Sequence, residues 1–320
     1  MSIEAVVQSI KKSDKIAIIA HIMPDGDTLG SCLALNNSLR DMGKRVDLYC
    51  QDSIPSNYDF LKGIGHFKKE EGDKVLYDLA IAVDCSDLER MGTCARIFDK
   101  CNLTVNIDHH VSNTYFGEIN YIDIEAAATG EIVFLIISEL SSSIKRDSAE
   151  ALYTAICTDS GSFTFSSTTS RTYRIAADLL DCGIDVNKIT TRLFKSHSYE
   201  RTMLLARALN SLTLYEENKV AIISITYEDI LETEAKDSDS ESMVNFAKDI
   251  IGIELGILLK ETPQGTTKAS FRSKDKIDVS KLAGFFGGGG HKRAAGAHIR
   301  IDTTEAKHKI IEVVHQLFKE

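Results

Sequence analysis

Short apolar runs alternate with stretches of helical periodicity in the first half of this chain. "KIAIIA" at 15–20 precedes a helical pattern at 28–42, and "LAIAVD" at 79–84 precedes another at 88–100. This alternation is typical of βαβ units, in which parallel strands form a sheet that helices cover. We therefore predict an α/β fold with a doubly wound, mostly parallel sheet. Further strands are predicted at 45–50 and 103–108, and further helices at about 129–140, 147–158 and 170–182.

The pattern changes after residue 186. Residues 187–211 are helical and rich in charge, which indicates a linker helix between two domains. We expect an N-terminal domain at 1–186 and a smaller α/β domain at 212–320, with an active-site cleft between them. The second domain is predicted to contain strands at 219–226, 253–261, 267–273 and about 297–301, with helices near 240–250 and at 304–319.

The composition argues against several classes of protein. A formal net charge of -10 over 320 residues does not suit a protein that coats long nucleic acid, because that work requires many cationic side chains. No apolar run approaches the roughly 18 to 20 residues that span a membrane, and the first residues lack the pattern of a signal peptide. We expect a cytoplasmic protein without a membrane partner. Its seven scattered cysteines, without a C-x-x-C pair, predict reduced thiols.

Metal-binding side chains follow three of the predicted strands. Ligands of an open parallel sheet gather beyond the carboxyl ends of its strands. The candidates are His21, Asp25 and Asp27 after the first strand, Asp84 after "LAIAV", Asp108, His109 and His110 after "LTVNI", and Asp159 after the helix at 147–158. Each residue alone has a structural explanation as a turn residue, a helix cap or a satisfied polar group. Together, converging carboxylates would repel one another and raise one another's pKa values.

Two divalent cations would remove this repulsion. Four carboxylates carry -4, two neutral imidazoles carry no charge, and two divalent ions carry +4. One shared carboxylate can bridge two ions about 3.5–4 Å apart, an arrangement that activates water and holds the oxygens of a phosphoryl group. Carboxylate and imidazole ligands without a thiolate favour Mn²⁺, with Mg²⁺, Co²⁺ and Zn²⁺ as alternatives.

Four segments resemble the motifs of the DHH phosphoesterase superfamily. They are "HIMPDGDTLGS", "VDCSD", "NIDHH" and "CTDSGSF", in this order, and "GGGGHKRAAG" at 287–296 resembles the DHHA1 domain that accompanies them. The resemblance covers nearly the whole chain and implies a DHH catalytic domain followed by a DHHA1 substrate-binding domain. The short two-domain layout is similar to that of the nanoRNase and pAp phosphatase members. It is also similar to that of the stand-alone cyclic di-AMP and pApA phosphodiesterases.

The resemblance also implies a role for each site residue. Six residues would be metal ligands, namely His21, Asp25 and Asp84 for the first ion and Asp27, Asp84, His109 and Asp159 for the second, with Asp84 bridging. Three residues would take part in catalysis. Asp84 would do so through both ions, His110 would contact the scissile phosphate or assist the leaving oxygen, and Asp108 would orient a neighbouring histidine.

The C-terminal domain is expected to bind the substrate. Between Lys268 and Arg300 the chain has eight Lys or Arg residues and two acidic residues. Consecutive glycines, which could also form a mere flexible turn, leave backbone N–H groups free to approach a phosphate, and a guanidinium can hold a terminal phosphate at two points. The candidate residues are Arg272, Gly288, Gly289, Gly290, His291 and Arg293.

We predict a phosphoesterase that uses two metal ions to activate water, and the ligand types favour Mn²⁺ for both. Its substrates would be very short oligoribonucleotides, cleaved to 5′-mononucleotides, and pAp, cleaved to AMP. The alternative is hydrolysis of cyclic di-AMP or its linear product pApA to AMP, because these activities share one metal site. A nucleotide-binding regulator without turnover is a third hypothesis. Members of the family are often dimeric, so the resemblance also allows a homodimer.

Overall fold

The computed structural model describes residues 2–70, 72, 76–140 and 144–318 of the chain. Two compact units make up the chain, Met1–Ser196 and His197–Glu320. The division falls inside the segment predicted as a linker. No helix in the described part of the chain has the length and apolar character needed to cross a membrane. All seven cysteines are free thiols, as their spacing predicted.

The N-terminal unit contains a six-stranded parallel sheet. Its strands are β1 (Lys15–Ile19), β2 (Arg45–Tyr49), β3 (Phe67–Lys68), β4 (Leu79–Val83), β5 (Thr104–Asp108) and β6 (Ile119–Ile122). They are ordered β3-β2-β1-β4-β5-β6, and every neighbouring pair is parallel. The direction of winding reverses between β1 and β4, which is where ligands of such sheets bind. The predicted parallel, doubly wound sheet is thereby confirmed.

Helices cover both faces of this sheet. They are α1 (Ile3–Lys12), α2 (Gly26–Asp41), α3 (Ala95–Asp99), α4 (Thr129–Leu140), α5 (Arg146–Asp159), α6 (Ser170–Asp181) and α7 (Val186–Thr190). Ile16 and Ile18 of β1 belong to the large core beneath α2, α4 and α5, whereas Ala17 and Ile19 belong to the core on the opposite face, beside α3. Burial on both faces explains why the central strands are apolar throughout.

Two predicted helices differ from the observed ones. The stretch at 88–100 is a 3-10 turn (Glu89–Cys94) followed by the short α3, because Gly92 has a φ of 56° that interrupts the helix. The stretch at 187–211 is not one linker helix. It contains α7, a π turn (Thr191–Lys195) and then α8 (Tyr199–Asn210), whose first turn is capped by the Ser198 side chain.

The C-terminal unit contains a second six-stranded sheet, of mixed direction. Its strands are β7 (Thr213–Tyr215), β8 (Val220–Ile225), β9 (Leu255–Glu261), β10 (Thr267–Ser273), β11 (Gly289–His291) and β12 (Ala294–Ile299), ordered β11-β12-β10-β9-β8-β7. Only β8 and β9 pair in parallel among the described strands of this unit. The helices are α8, α9 (Tyr227–Thr233), α10 (Val244–Lys248), α11 (Val279–Gly284) and α12 (Thr303–Leu317).

Sequence reasoning missed α9 because it lies in a strongly acidic stretch without apolar periodicity. Thr226 and Asp229 form a reciprocal capping box that starts this helix. The run of glycines, predicted as a turn, continues into the edge strand β11, which pairs with β12 from Gly289 to His291.

Close packing of α2 against α5 depends on two glycines of α2. A Cβ atom at Gly30 would lie 2.3 Å from the carbonyl oxygen of Ala151, and one at Gly26 would lie 2.5 Å from the side chain of Thr158. The start of α2 therefore meets the end of α5, where Asp159 lies. Without these glycines the two helices could not approach so closely.

We expect Gly30→Ala to lower the free energy of unfolding by roughly 1–3 kcal/mol, because a methyl group would have to displace the backbone of α5 at Ala151. Urea denaturation measures this change. Gly65→Ala is the matched control, since a Cβ atom there meets no atom within 4 Å, and it should shift stability by less than about 0.5 kcal/mol. Equal stability of the two variants would contradict the close α2–α5 contact.

Candidate metal centre

The six predicted metal ligands come together at the carboxyl edge of the N-terminal sheet. Loops after β1, β4 and β5 and the last turn of α5 carry them, because the carboxyl ends of parallel strands share one edge. In the described part of the chain, three groups have donor atoms that all lie within 4.8 Å of one another, close enough to hold an ion. These groups are His21, Asp25 and Asp84; Asp27, His109 and Asp159; and Asp84, His109 and His110.

His21 lies between two carboxylates in the first group. Its Nε2 atom is 3.6 Å from Asp25 Oδ1 and 3.4 Å from Asp84 Oδ2. Its Nδ1 atom lies 2.7 Å from the carbonyl oxygen of Ile22, which can only accept, so Nδ1 carries a proton and Nε2 is left for a cation. Burial lowers the pKa of His21, but hydrogen bonds and charges from Asp25 and Asp84 outweigh it and raise the pKa to about 10. The carboxylates thus favour a positive charge at Nε2.

His109 has the corresponding place in the second group. Its Nε2 atom is 3.1 Å from Asp159 Oδ2 and 3.8 Å from both Asp27 Oδ2 and Asp84 Oδ1. Its Nδ1 atom is 3.1 Å from the carbonyl oxygen of Ala126, so Nε2 again faces the carboxylates. Burial lowers the pKa of His109, but the hydrogen bond of Asp159 and the charges of Asp27 and Asp84 raise it to about 11.

Asp27 is fully buried and is held by the start of α4. Its Oδ2 accepts a hydrogen bond from the Thr129 N–H at 2.7 Å, and its Oδ1 accepts one from the Gly130 N–H at 2.9 Å. A helix N-terminus favours an anion in this position. Even so, burial and then the charges of Asp84 and Asp159 raise the pKa of Asp27 well above its usual range. The cluster therefore lacks positive charge, and its oxygen and imidazole donors fit divalent cations.

Asp84 connects the groups. It belongs to two of the three groups, and its Oδ1 accepts a hydrogen bond from Thr129 Oγ1 at 2.8 Å. Its backbone has a φ of 61°, in the left-handed region that residues other than glycine seldom adopt. Such strain persists where the surrounding structure requires it, often at functional sites. Here it turns a carboxylate at the end of β4 toward ligands from β1 and β5.

Asp108 faces His110 rather than the metal ligands. His110 Nδ1 donates to Asp108 Oδ1 at 2.7 Å, and this hydrogen bond raises the pKa of His110. The Asn113 amide lies 2.6 Å from Asp108 Oδ2 and 3.1 Å from the carbonyl oxygen of Cys85. Burial raises the pKa of Asp108, but His110 and Asn113 outweigh it and lower the pKa. Because Nδ1 of His110 is bonded to Asp108, Nε2 is the ring nitrogen of His110 that remains to contact a ligand.

Sequence reasoning missed four residues of this site. Thr129 and Gly130 could have been found, because "TGE" directly before an apolar helical run indicates a helix N-terminus. Asn113 lies in a loop without periodicity, and Arg90 lies in the stretch at 88–100, predicted only as a helix. No spacing rule indicated either of them as a site residue. Arg90 Nη2 lies 3.1 Å from His21 Nδ1.

A buried ion pair fixes the start of α4. Glu131, which follows the two residues that bind Asp27, is fully buried, and Arg171 at the start of α6 donates from Nε to its Oε2 at 2.8 Å. The same guanidinium donates from Nη1 to Asp123 Oδ2, just after β6, at 2.8 Å. Arg171 thereby connects the segment that follows Asp159 with the helix that holds Asp27.

The predicted substrate-binding residues lie in the C-terminal unit. Arg272 on β10 and His291 on β11 both pair with Ala294 of β12, so their side chains share one face of the sheet. Arg272 has no carboxylate within 4 Å in the described ranges, and burial lowers its pKa. A partly buried guanidinium without a counter-charge suits an anionic ligand. Arg293 instead donates from Nη1 to the carbonyl oxygen of Ile277 at 3.3 Å.

The three candidate glycines have different surroundings. A Cβ atom at Gly288 would lie 2.2 Å from the carbonyl oxygen of Gly296, and one at Gly290 would lie 2.6 Å from that of Ala294. The N–H group of Gly288 already donates to Ala283 O at 2.9 Å. Close packing against β12 thus explains why positions 288 and 290 are glycine, and no ligand is needed to explain it. A Cβ atom at Gly289 would meet no atom within 4 Å.

Two family models match the chain. The model described as "DHH family, N-terminal domain" matches residues 15–156, and the model described as "DHHA1 domain" matches residues 214–320.

Curated proteins and a solved structure are similar over nearly the whole chain. The "Bifunctional oligoribonuclease and PAP phosphatase NrnA" of Thermus thermophilus is 30% identical over 94% of this chain and 89% of its own length. The protein of the same name from Bacillus subtilis is 23% identical over 92% of each chain. The "Cyclic-di-AMP phosphodiesterase GdpP" of Geobacillus thermodenitrificans is 23% identical over 98% of this chain and 49% of its own length. The structure of an exopolyphosphatase-related protein from Bacteroides fragilis superposes with a TM-score of 0.93 and 28% identity, covering 99% of this chain and 97% of that one.

We expect Asp84→Asn to abolish binding of both ions, because Asp84 Oδ2 lies 3.4 Å from His21 Nε2 and Asp84 Oδ1 lies 3.8 Å from His109 Nε2, so that this carboxylate adjoins both sites. Asparagine tolerates the left-handed backbone of this position, so the fold should persist. Titration calorimetry with Mn²⁺ measures the stoichiometry. Asp59→Ala, which removes an exposed carboxylate of the same unit, should leave it unchanged. Two bound ions per chain in Asp84→Asn would contradict the shared role of Asp84.

Proposed function

This chain belongs to the DHH family and carries a DHHA1 domain, and on that premise we propose that it is a metal-dependent phosphoesterase. Its substrates are very short oligoribonucleotides, which it hydrolyses to 5′-mononucleotides, and pAp, which it hydrolyses to AMP. The observation that carries this proposal is the convergence of six carboxylate and imidazole ligands, with Asp84 beside both His21 and His109. The names of the Thermus and Bacillus relatives support the choice of substrates.

The donor set fits two divalent cations. His21, Asp25 and Asp84 would hold one ion, and Asp27, Asp84, His109 and Asp159 the other. When bound, such ions lower the pKa of water and neutralise charge on a phosphoryl group. We propose Mn²⁺ as the ion, because the ligands combine carboxylates with imidazoles and include no thiolate.

The remaining residues act on the substrate directly. The side chain of His110, whose Nδ1 donates to Asp108, would contact the scissile phosphate or give a proton to the leaving oxygen from Nε2. In the C-terminal unit, Arg272 provides a guanidinium for a terminal phosphate. Gly289, His291 and Arg293 complete the proposed substrate-binding set, together with Gly288 and Gly290, whose close packing shapes β11.

Hydrolysis of cyclic di-AMP or pApA to AMP is the second candidate. The similarity to the Geobacillus phosphodiesterase over 98% of this chain favours it. Both candidates use the same ligands, so the C-terminal unit must decide between them by how it accommodates bases and phosphates.

A side-by-side rate comparison with Mn²⁺ tests both candidates. We expect the largest kcat/KM on a five-nucleotide RNA or pAp, a lower one on pApA and cyclic di-AMP, and loss of all turnover with EDTA. A preference for cyclic di-AMP or pApA would select the second candidate. Tight binding of these compounds without any product would refute the phosphoesterase and indicate a nucleotide-binding regulator.

We expect Arg272→Ala to lower kcat/KM on pApA by about tenfold to a hundredfold, mainly through KM, because it removes a charged hydrogen-bond donor and no metal ligand. Mn²⁺ stoichiometry should stay unchanged. Arg300→Ala is the matched control, since Arg300 is an exposed cation of the same unit. An unchanged KM in Arg272→Ala would remove this residue from the substrate-binding set.

A further inference from the structure

Arg90 is a cation at the metal centre whose charge the proposed ligand set does not use. It lies in the 3-10 turn after β4, with its side chain partly buried. Its Nη2 atom is 3.1 Å from Nδ1 of His21, the ring whose Nε2 faces Asp25 and Asp84. The guanidinium therefore stands directly beside the first group of ligands.

Backbone contacts, not the side chain, hold Arg90 in place. Its N–H donates to Asp87 Oδ1 at 3.0 Å, and its carbonyl oxygen accepts from the Ile22 N–H at 2.7 Å. These bonds join the loops that follow β1 and β4. They would survive replacement of the side chain, so the position of residue 90 does not require a guanidinium.

The contact with His21 does not satisfy the guanidinium. Nδ1 of His21 donates to the carbonyl oxygen of Ile22 when Nε2 faces a cation, so Nδ1 has no lone pair to offer Arg90. No carboxylate of the described residues lies within 4 Å of the Arg90 guanidinium. In the described part of the chain the guanidinium has no other hydrogen-bond partner, and none of its nitrogens is among the buried polar atoms that lack one, so its N–H donors stay accessible to an anion that enters the site.

The charges of the site indicate which acceptor is missing. Four carboxylates (Asp25, Asp27, Asp84 and Asp159) and two divalent cations balance to zero. Asp108 is paired with His110. The ligand set therefore leaves the charge of Arg90 unmatched, and Asp87, whose Oδ1 accepts the Arg90 backbone N–H, is not within 4 Å of the guanidinium. A phosphodiester brings one negative charge.

We propose that Arg90 donates hydrogen bonds to a non-bridging oxygen of the scissile phosphoryl group, which deepens the phosphoesterase function proposed above and rests on it. Charge grows on these oxygens as the phosphorus is attacked, and a fixed guanidinium stabilises that charge. In this proposal Arg90 acts on the substrate, and metal binding does not depend on its contact with His21. This distinguishes the proposal from a purely structural role, in which Arg90 would support His21 and its loss would weaken metal binding.

Three variants test the proposal in the full-length chain. Arg90→Met removes the charge and keeps an unbranched side chain, whereas Arg90→Lys keeps the charge without the planar fork of donors. Arg96→Met is the matched control, because Arg96 lies a few residues further along, is exposed, and pairs with Glu70 at 3.7 Å. Titration calorimetry gives the affinity for Mn²⁺ and, in saturating Mn²⁺, for the product AMP. Steady-state kinetics on pApA gives kcat and KM.

We expect Arg90→Met to lower kcat/KM by about a hundredfold and to weaken AMP binding by at least about tenfold, with Mn²⁺ affinity within about twofold of the wild type. Arg90→Lys should recover about tenfold of the lost kcat/KM. Arg96→Met should match the wild type in every measurement.

Two results would overturn the proposal. One is a parallel loss of Mn²⁺ affinity and activity in Arg90→Met, which would show that Arg90 acts through His21. The other is an unchanged kcat/KM and AMP affinity in the same variant. If the wild-type protein itself gave no AMP from pApA or the other substrates, the proposed function would fail. AMP binding with Mn²⁺ present would still decide whether Arg90 contacts a phosphate.

Discussion

Mutual repulsion among buried carboxylates is the constraint on which the rest of this structure depends. Asp27, Asp84 and Asp159 all approach the His109 imidazole. Burial, and then the charges of Asp84 and Asp159, raise the pKa of Asp27 despite two helix N–H donors. No sequence would keep such a cluster for stability alone, because an uncompensated buried charge opposes folding. The cluster requires cations, and the same cations make it a centre for phosphoryl chemistry.

Secondary structure positions the cluster from four directions. Parallel strands deliver His21, Asp84 and His109 to one edge of the sheet, and the glycines of α2 let α5 approach until Asp159 reaches that edge. The start of α4 then binds Asp27 through two N–H groups. Each contribution is a backbone feature, so the fold of the unit sets where the ligands lie.

Two of the arginines that lack a carboxylate partner in the described ranges belong to the proposed functional regions, one in each unit. Arg90 adjoins His21, and Arg272 lies among small residues on an open sheet, opposite Gly256 and Ala294. Arg171 and Arg207, by contrast, each pair with carboxylates. A cation left without one in a functional region points to a partner that arrives with the substrate, and phosphate is the anion that such a guanidinium binds best.

The sequence by itself determined the parallel sheet and the identity of the metal-ligand candidates, because strand periodicity and the chemistry of aspartate and histidine are local properties. Periodicity does not encode backbone torsions or long-range pairing. The sequence therefore did not predict the 3-10 turn within 88–100, the break in the linker at Thr191–Lys195 or the strand at Gly289–His291. Only the tertiary structure decided that Thr129 and Gly130 hold Asp27 and that Arg90 stands beside His21. Those contacts join residues 69 to 103 positions apart, and the close approach that creates them is set by packing of the whole unit rather than by any single segment.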